Sequence, residues 1–390
     1  MRLLATGDVH IGAGYGHRVD ALADTETILD QIAAAAREHE VDAVLLAGDV
    51  FHRPKPTPAE LHVFARFAAK LDRMGLPVVA VLGNAGHDQM GTDLPTALEL
   101  FDTVRVSRIP ERISLDGVDV VTLPSVPIAR LAARYGFDGD RGEVNEAAAV
   151  LLVDAARELR AEVPAGRPCV LLGHWSVSGA ALPNGLPVAD LHEPVLDAGA
   201  LDEIRFDAVV MGHIHRGQAF SDRGFYVGSP MCHDFGEAGF DHGVWILDVN
   251  EDEASVEFVP LVDRRFVTVA VDLAADLDYM GLDETDAIAV EIFMHLPLTD
   301  AVVRVSYTAT EEQHRRVDHQ ALLAMLADNG VHRVHGGIAW SPVRAVRARV
   351  QGMDESLDPA EAVDAWCAAN DVDADPLHEL TRGYLEKAAA

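Results

Sequence analysis

Seven side chains that can bind a metal stand at the ends of five short apolar segments. The segments are typical of buried strands, and a glycine before the first ligand of each segment lets the chain turn closely over the end of a sheet. If these strands share one sheet, their ends meet at a single edge, where open α/β folds place their sites. The candidate ligands are Asp8, His10, Asp49, Asn84, His174, His213 and His215. The sequence therefore predicts a cluster of carboxylate, amide and imidazole groups.

The donor types indicate a pair of divalent ions. Oxygen ligands suit Mg²⁺ and Mn²⁺, whereas imidazole favours Mn, Fe or Zn, and the absence of thiolate argues against a structural zinc. Two ions about 3.5–4 Å apart share a bridging ligand, activate water and hold a phosphoryl group. A single histidine at a strand end is more often a packed or solvated residue, but five independent strand–glycine–ligand junctions argue against that interpretation for the whole set.

The order of these motifs resembles that of the calcineurin-like metallophosphoesterases. They are Asp8-Val-His10, Gly48-Asp49, Gly83-Asn84, Gly173-His174 and Gly212-His213-Ile-His215. Two further segments, Gly48–Pro54 and Gly228–Glu237, are similar to those of the SbcD-type nucleases of DNA double-strand-break repair. The resemblance covers about residues 1–265 by motif and the rest by layout alone. It implies a metal-dependent DNA exonuclease or endonuclease that uses two divalent ions, with Mn²⁺ as the expected metal.

The resemblance also implies how the ligands divide between the ions. In the family pattern, Asp49 is the bridging carboxylate that both ions share. The first ion is held by Asp8, His10, Asp49 and His215, and the second by Asp49, Asn84, His174 and His213. His52, which follows the second motif, is expected to help place the phosphate.

The third motif departs from the family pattern Gly-Asn-His-Asp. Here it reads Gly83-Asn84-Ala85-Gly86-His87-Asp88, with two inserted residues. His87 takes the place of the family's catalytic histidine if the flexible Gly86 lets the loop fold back; otherwise His87 is displaced and activity is weak. Asp88 is expected either to orient a histidine, as carboxylates near metal sites often do, or simply to cap the loop.

The arrangement of helix and strand signals predicts three parts. Residues 1–262 form a layered α/β metallophosphoesterase domain, residues 265–350 a smaller α+β capping domain that helps to position DNA, and residues 354–390 a helical tail. Thr57-Pro58-Ala59-Glu60 predicts a capped helix start, and residues 313–328 predict one helix in the capping domain.

The charge of the chain argues against binding DNA at long range. Sixty-three acidic and 31 basic residues give a net charge of −32, which repels a polyanion. A local basic strip at Arg333, Arg344, Arg347 and Arg349 contains no acid and is a candidate contact for nucleic acid, or else a solvated face.

The tail and the composition suggest partners and a compartment. Asp358-Pro359 is expected to start a helix in the tail. Two amphipathic stripes there suit a groove on a partner, and they consist of Val363, Trp366, Cys367, Leu377, Leu380 and Tyr384. The resemblance implies a coiled-coil ATPase of the SbcC type as that partner, and a homodimer; the alternative is packing against the capping domain. Three isolated cysteines, no charged leader and no membrane-length apolar run favour a cytoplasmic protein without membrane contact.

The sequence is also compatible with two functions other than a DNA nuclease. The same metals would serve a small-substrate phosphodiesterase or phosphatase, although the capping domain and tail favour a nuclease. A non-catalytic scaffold subunit of a repair complex would result if the altered third motif had abolished turnover. The presence of all seven ligands argues against the scaffold.

Overall fold

The computed structural model describes most of the chain in two compact units. The described residues are 1–14, 21–89, 95–182, 184–188, 192–250, 254–273, 281–294, 298–343, 359–370, 375, 377–378 and 381. The larger unit comprises Met1–Val269, Ile292–Val305 and Gln320–Ile338, and the smaller one Ala270–Glu291, Ser306–His319 and Ala339–Ala390.

Short strands occur throughout the described chain. In chain order the strands are β1 Arg2–Thr6, β2 Ala43–Leu46, β3 Val78–Val81, β4 Val104–Ser107, β5 Glu111–Ser114, β6 Asp119–Leu123, β7 Cys169–His174, β8 Ser176–Val177, β9 Val195–Leu196, β10 Ala208–Gly212, β11 Gln218–Ala219, β12 Gly224–Tyr226, β13 Gly243–Val249, β14 Ala254–Pro260, β15 Phe266–Asp272, β16 Val302–Ala309 and β17 Arg333–Pro342.

The ligand-bearing strands belong to two sheets, so the expectation of a single sheet is wrong. One six-stranded sheet has the order β14-β13-β1-β2-β3-β4, and the other has the order β11-β12-β10-β7-β6-β5. Strands β1 to β4 are parallel, as are β6, β7, β10 and β12. Each sheet therefore gathers the carboxyl ends of its own ligand-bearing strands at one edge.

Each strand contributes side chains to both faces of its sheet, because successive side chains of a strand point in opposite directions. Leu3 of β1 and Leu172 of β7 belong to one buried cluster that lies between the two sheets. Leu4 lies on the outer face of the first sheet and packs in a cluster with helix residues. Leu171 lies on the outer face of the second sheet, in another cluster with helix residues. The larger unit is thus a helix–sheet–sheet–helix sandwich, which confirms the predicted layered α/β fold.

The helices largely follow the sequence signals. They are α1 Ala21–Glu38, α2 Pro58–Arg73, α3 Ile128–Tyr135, α4 Arg141–Ala161, α5 Ala198–Ile204, α6 Glu284–Met294, α7 Glu311–His314, α8 His319–Asp328 and α9 Pro359–Asn370, with a 3₁₀ turn at Ala97–Leu100. At the start of α2 the Glu60 amide donates to Thr57 Oγ1 at 3.3 Å and the Thr57 amide donates to Glu60 Oε2 at 2.7 Å. This reciprocal pair is the predicted capping box.

The C-terminal elements match the predicted mixture of helix and strand with one correction. The single helix predicted over residues 313–328 is wrong, because α7 and α8 are separated at residues 315–318. The backbone amide of Asp318 donates to the Thr285 hydroxyl at 2.9 Å, a tertiary contact that replaces a helical hydrogen bond. Strands β15, β16 and β17 form a three-stranded sheet in that order.

The tail is described in part. Helix α9 begins at Pro359, and its Cys367 is 2% exposed. Leu380 and Tyr384 of the second apolar stripe, and Arg344, Arg347 and Arg349 of the basic strip, lie outside the described residues. Within the described part of the chain, every helix is too short or too polar to cross a membrane.

Candidate metal centre

The two sheets of the larger unit bring all seven candidate ligands to one place. The loops after β1, β2 and β3 supply Asp8, His10, Asp49 and Asn84, while β7 and the loop after β10 supply His174, His213 and His215. Ligand atoms of Asp8, Asp49 and His174 lie within 4.8 Å of one another, as do those of Asp8, His10 and His215. The two groups share Asp8, so they form one continuous cluster.

Asp49 lies between the two groups of histidines. Its Oδ2 atom is 3.7 Å from Nε2 of His10 and 3.5 Å from Nε2 of His174. On the side of His10, the Nε2 atoms of His10 and His215 are 3.1 Å apart. Nitrogen ligands about 2.1 Å from one ion lie roughly this far apart, so the pair suits a shared ion.

Asn84 and His213 lie on the other side of Asp49. The backbone amide of Asn84 donates to Asp49 Oδ1 at 2.6 Å, and the Asn84 side-chain amide is 3.0 Å from Nδ1 of His213. The backbone amide of His213 in turn donates to the Asp8 carboxylate at 3.0 and 3.1 Å. The amide, the imidazole and both carboxylates are therefore fixed relative to one another.

The surroundings of Nε2 of His174 show whether these residues suit a metal. Nδ1 of His174 lies 2.7 Å from the Ala47 carbonyl oxygen, to which it donates its proton, and this leaves Nε2 as the ring nitrogen that can bind a metal in exchange for a proton. Nε2 is buried and has no hydrogen-bond partner among the described residues. A buried ring nitrogen without a hydrogen-bond partner, beside two carboxylates, is the arrangement that a divalent cation satisfies. The donor set therefore fits divalent ions.

The backbone at the ligands is strained. Asp8, His10, Asp49 and His213 have φ values of 51°, 47°, 50° and 94°, in the left-handed region that non-glycine residues rarely adopt. Such conformations cost about 1–3 kcal/mol each and concentrate at functional sites. Four of them at candidate ligands indicate that the fold holds these side chains in place at a cost in stability.

Glycines before the ligands are required by close approach. A Cβ atom on Gly83 would lie 1.9 Å from Asp49 Oδ1, and one on Gly212 would lie 2.1 Å from the Ala47 carbonyl oxygen. The loops after β2 and β3 therefore touch at the position of Asp49, and any larger residue at Gly83 would displace its carboxylate.

Two glutamates orient histidines of the centre, and the sequence assigned neither of them a role. Glu193 Oε1 is 2.6 Å from Nε2 of His213, and Glu237 Oε1 is 2.6 Å from Nδ1 of His215. Each contact fixes which ring nitrogen remains for a metal, Nδ1 in His213 and Nε2 in His215. Glu237 lies in the Gly228–Glu237 segment and could have been inferred from it, whereas Glu193 lies in no motif.

His233 is a further histidine beside the ligands, and the sequence assigned it no role. Its Nε2 atom is 3.0 Å from the Asp8 carbonyl oxygen, and its ring lies 5.3 Å from the rings of both His10 and His215. The ring therefore packs behind the strained turn that carries Asp8. His233 lies in the Gly228–Glu237 segment, but no glycine stands directly before it to mark it as the other motifs are marked.

The inserted third motif returns His87 to the centre. Residues 85–88 form a turn in which Ala85 and Gly86 are exposed, and the His87 amide donates to the Asn84 carbonyl at 2.9 Å. Nδ1 of His87 is 2.7 Å from the His52 carbonyl, and Nε2 is 3.9 Å from Asp49 Oδ2. Gly86 has no left-handed φ, and a Cβ there would meet no atom within 4 Å. The turn therefore has the conformation and space that other residues could also adopt at position 86.

Asp88 supports the loops of the centre. Its carboxylate accepts hydrogen bonds from the backbone amides of Phe51, Gly83 and Val50 at 2.9, 3.1 and 3.2 Å. Of the two roles expected from the sequence, this geometry favours the loop cap over the orientation of a histidine. Burial raises the pKa of Asp88 to about 6, and nearby Asp49 adds to that effect.

Burial and opposite charges compete in setting the pKa values of the ligands. Burial alone would lower the pKa of His174, but the Asp49 carboxylate beside it raises that pKa to about 9. Burial would raise the pKa of Asp49, and the neighbouring His174 lowers it instead. The pKa of His10 is lowered, chiefly by burial. A metal ion at His174 therefore binds in exchange for a proton.

The sequence profile of the calcineurin-like phosphoesterases matches residues 1–217, which contain every ligand described above. The chain belongs to this family. It is accordingly a metal-dependent phosphoesterase, and the fold implies divalent metal ions.

Two bacterial nuclease subunits are similar to this chain in sequence. The chain is 28% identical over 258 residues to the SbcD subunit of nuclease SbcCD from Escherichia coli K12, and equally to that from Escherichia coli O157:H7. Each alignment covers 61% of this chain and 62% of the relative, so the chain spans less than two thirds of the length of these proteins.

Solved structures of more distant proteins are also similar. A dimetal phosphatase from Danio rerio has a TM-score of 0.38 and 13% identity, over 67% of this chain and 97% of that protein. The protein TT1561 of Thermus thermophilus has a TM-score of 0.35 and 14% identity, over 66% and 98% of the two chains.

Proposed function

We propose that this chain is a DNA nuclease that hydrolyses phosphodiester bonds with two divalent ions, with Mn²⁺ as the expected metal. The observation that carries the proposal is the position of the Asp49 carboxylate, within 3.7 Å of Nε2 of His10 and 3.5 Å of Nε2 of His174. A carboxylate between two sets of ligands is what a bridged pair of ions requires. The similarity to the SbcD subunit of nuclease SbcCD supports DNA as the substrate.

The ligands divide as the family pattern suggests. One ion would be held by Asp8, His10, Asp49 and His215, and the other by Asp49, Asn84, His174 and His213. When bound, the ions supply Lewis-acid polarisation of the phosphoryl group and a lowered pKa for water. Glu193 and Glu237 hold two of the imidazoles in the orientation that binding needs.

His87 is the residue that would act on the substrate directly. Its Nδ1 atom is held by the His52 carbonyl, while Nε2 faces Asp49 from 3.9 Å and its side chain remains partly exposed. An imidazole placed at the open side of the ligands can contact the phosphate or transfer a proton to the leaving oxygen. His52, with its ring 5.4 Å from that of His87, would help to place the phosphate.

Assembly with partners is part of the same proposal. We infer that the chain forms a homodimer, that residues 265–350 help to position DNA, and that the tail binds a coiled-coil ATPase of the SbcC type. The similarity to a named subunit of nuclease SbcCD supports such a partner. Burial of Cys367 shows that one face of α9 already packs within this chain, so the partner would contact another face of that helix.

Assays of metal-stripped protein on two substrates test the proposal. With added Mn²⁺, the chain should cut linear duplex DNA and a small chromogenic phosphodiester, and Asp49→Ala should cut neither. His62→Ala, which removes an exposed histidine of α2, is the matched control and should behave as the wild type. Hydrolysis of the small diester without any cleavage of DNA would refute the nuclease and favour a small-substrate phosphodiesterase.

A further inference from the structure

Two arginines lie over phenylalanine rings of a single segment that borders the metal centre. We call residues 233–242 the rim segment. His233 of this segment contacts the Asp8 carbonyl, and Glu237 contacts His215, at 3.0 and 2.6 Å. The rim segment is therefore held directly against the ligands, and side chains resting on it lie near the place where a phosphodiester would be cut.

The guanidinium group of each arginine stacks on a different phenylalanine ring. The Cζ atom of Arg304 lies 3.9 Å from the ring centroid of Phe235, and that of Arg216 lies 5.5 Å from the centroid of Phe240. Arg216 also directly follows the ligand His215 in the chain. Stacking on a ring restricts a guanidinium group and leaves the N–H groups at its edge free to bind an anion.

Neither arginine has a carboxylate partner in the part of the chain that the structure describes. Both are exposed, and among the described residues no carboxylate oxygen lies within 4.0 Å of either guanidinium. Some other exposed arginines of this acidic chain, such as Arg105 and Arg315, do form ion pairs with glutamates. In a chain with a net charge of −32, two cations beside the metal centre that pair with no carboxylate of the described residues favour an anionic ligand there.

We propose that Arg216 and Arg304 bind phosphate groups of a nucleic-acid backbone next to the phosphodiester that is cut. The proposal rests on the proposed nuclease function and adds that the substrate contacts extend beyond the scissile group. It also explains how so acidic a chain holds a polyanion, because guanidinium groups bind phosphate oxygens in pairs and their attraction is strongest at short range. A small diester has no neighbouring phosphates and cannot use these contacts.

Steady-state kinetics with Mn²⁺ test the proposal. The kcat/KM for linear duplex DNA is measured between about 50 and 200 mM salt, and that for a small chromogenic diester is measured in parallel. Arg216→Gln and Arg304→Gln should each lower the ratio of the two values by on the order of tenfold, mainly through KM. Each should also reduce the slope of log kcat/KM for DNA against log salt by about 1. Arg304→Lys keeps the charge and should restore most of the slope.

The control is Arg134→Gln, which removes an exposed arginine that lies over Tyr135, outside the rim segment. Metal content and circular dichroism confirm that each variant is folded. If Arg134→Gln lowered the kcat/KM ratio as much as the two rim variants do, the assignment of Arg216 and Arg304 would be overturned. The same holds if the wild type cuts DNA but the salt slopes of the two rim variants are unchanged, and in both cases the nuclease function would stand. A wild-type enzyme that hydrolyses the small diester but not DNA would overturn the nuclease function and the assignment with it.

Discussion

Nε2 of His174 lies 3.5 Å from Oδ2 of Asp49, and its other ring nitrogen is held by the Ala47 carbonyl. In the metal-free protein this pairing raises the pKa of His174 to about 9, so a proton occupies the position that a metal needs. Lowering the pH below about 9 should therefore weaken Mn²⁺ binding, by at most about tenfold per pH unit for one displaced proton.

Calorimetric titration with Mn²⁺ in buffers of different ionisation enthalpy measures that proton. We expect release of about one proton from His174 at neutral pH, falling towards none as the pH rises past about 9. His62→Ala is the control and should not alter the release. Affinity that is constant between neutral pH and pH 9, without proton release, would show that His174 is not displaced by metal.

The two glycines of the third motif should respond oppositely to the same substitution. Gly83→Ala places a Cβ 1.9 Å from Asp49 Oδ1, whereas Gly86→Ala meets no atom within 4 Å. We expect Gly83→Ala to lose Mn²⁺ and diester hydrolysis and to lower the free energy of unfolding by about 1–3 kcal/mol. Gly86→Ala should retain all three properties. Metal analysis and thermal unfolding check both variants, and normal metal content in Gly83→Ala would contradict the packing described for Asp49.

His87→Ala tests whether the inserted loop supports catalysis. Because His87 is not a proposed ligand, its removal should leave Mn²⁺ content unchanged while turnover falls by about 10²–10⁴-fold. Elemental analysis and hydrolysis of a small diester measure the two quantities, with His62→Ala as the control. Unchanged turnover would move the role to another residue, with His52 the next candidate.

Removal of the tail separates the partner from the enzyme. Deleting residues 354–390 should leave Mn²⁺-dependent hydrolysis of a small diester intact, because every proposed ligand lies before residue 216. Co-purification with an ATPase of the SbcC type should be lost, and Trp366→Ala alone should weaken that complex by about 2 kcal/mol. Glu361→Gln, an exposed change on the same helix, is the control. Aggregation of the shortened chain would instead place α9 in the core of the enzyme.

The sequence predicted the positions where the ligands stand because strand ends and glycines are local signals. Asp49 and His174 each follow a glycine at the end of a buried apolar segment. Gly83 and Gly212 also precede ligands, and a side chain at either position would collide with a neighbouring loop. Their convergence from two sheets rather than one depends on the packing of facing layers, which strand patterns do not specify.

Tertiary contacts account for what the sequence did not predict. The helix break at residues 315–318 depends on the hydroxyl of Thr285, which lies 33 residues earlier in the chain. Glu193 reaches His213 from a connecting segment without periodicity, so nothing in its neighbourhood marks it. The return of His87 likewise depends on the carbonyl of His52, 35 residues away.

Anomalous diffraction at the manganese edge, from crystals soaked in saturating Mn²⁺, tests the two-ion centre most directly. We predict two peaks per chain, one among Asp8, His10, Asp49 and His215 and the other among Asp49, Asn84, His174 and His213. Asp49→Ala should show neither. A single peak in the wild-type protein, or two peaks away from the Asp49 carboxylate, would contradict the two-metal account.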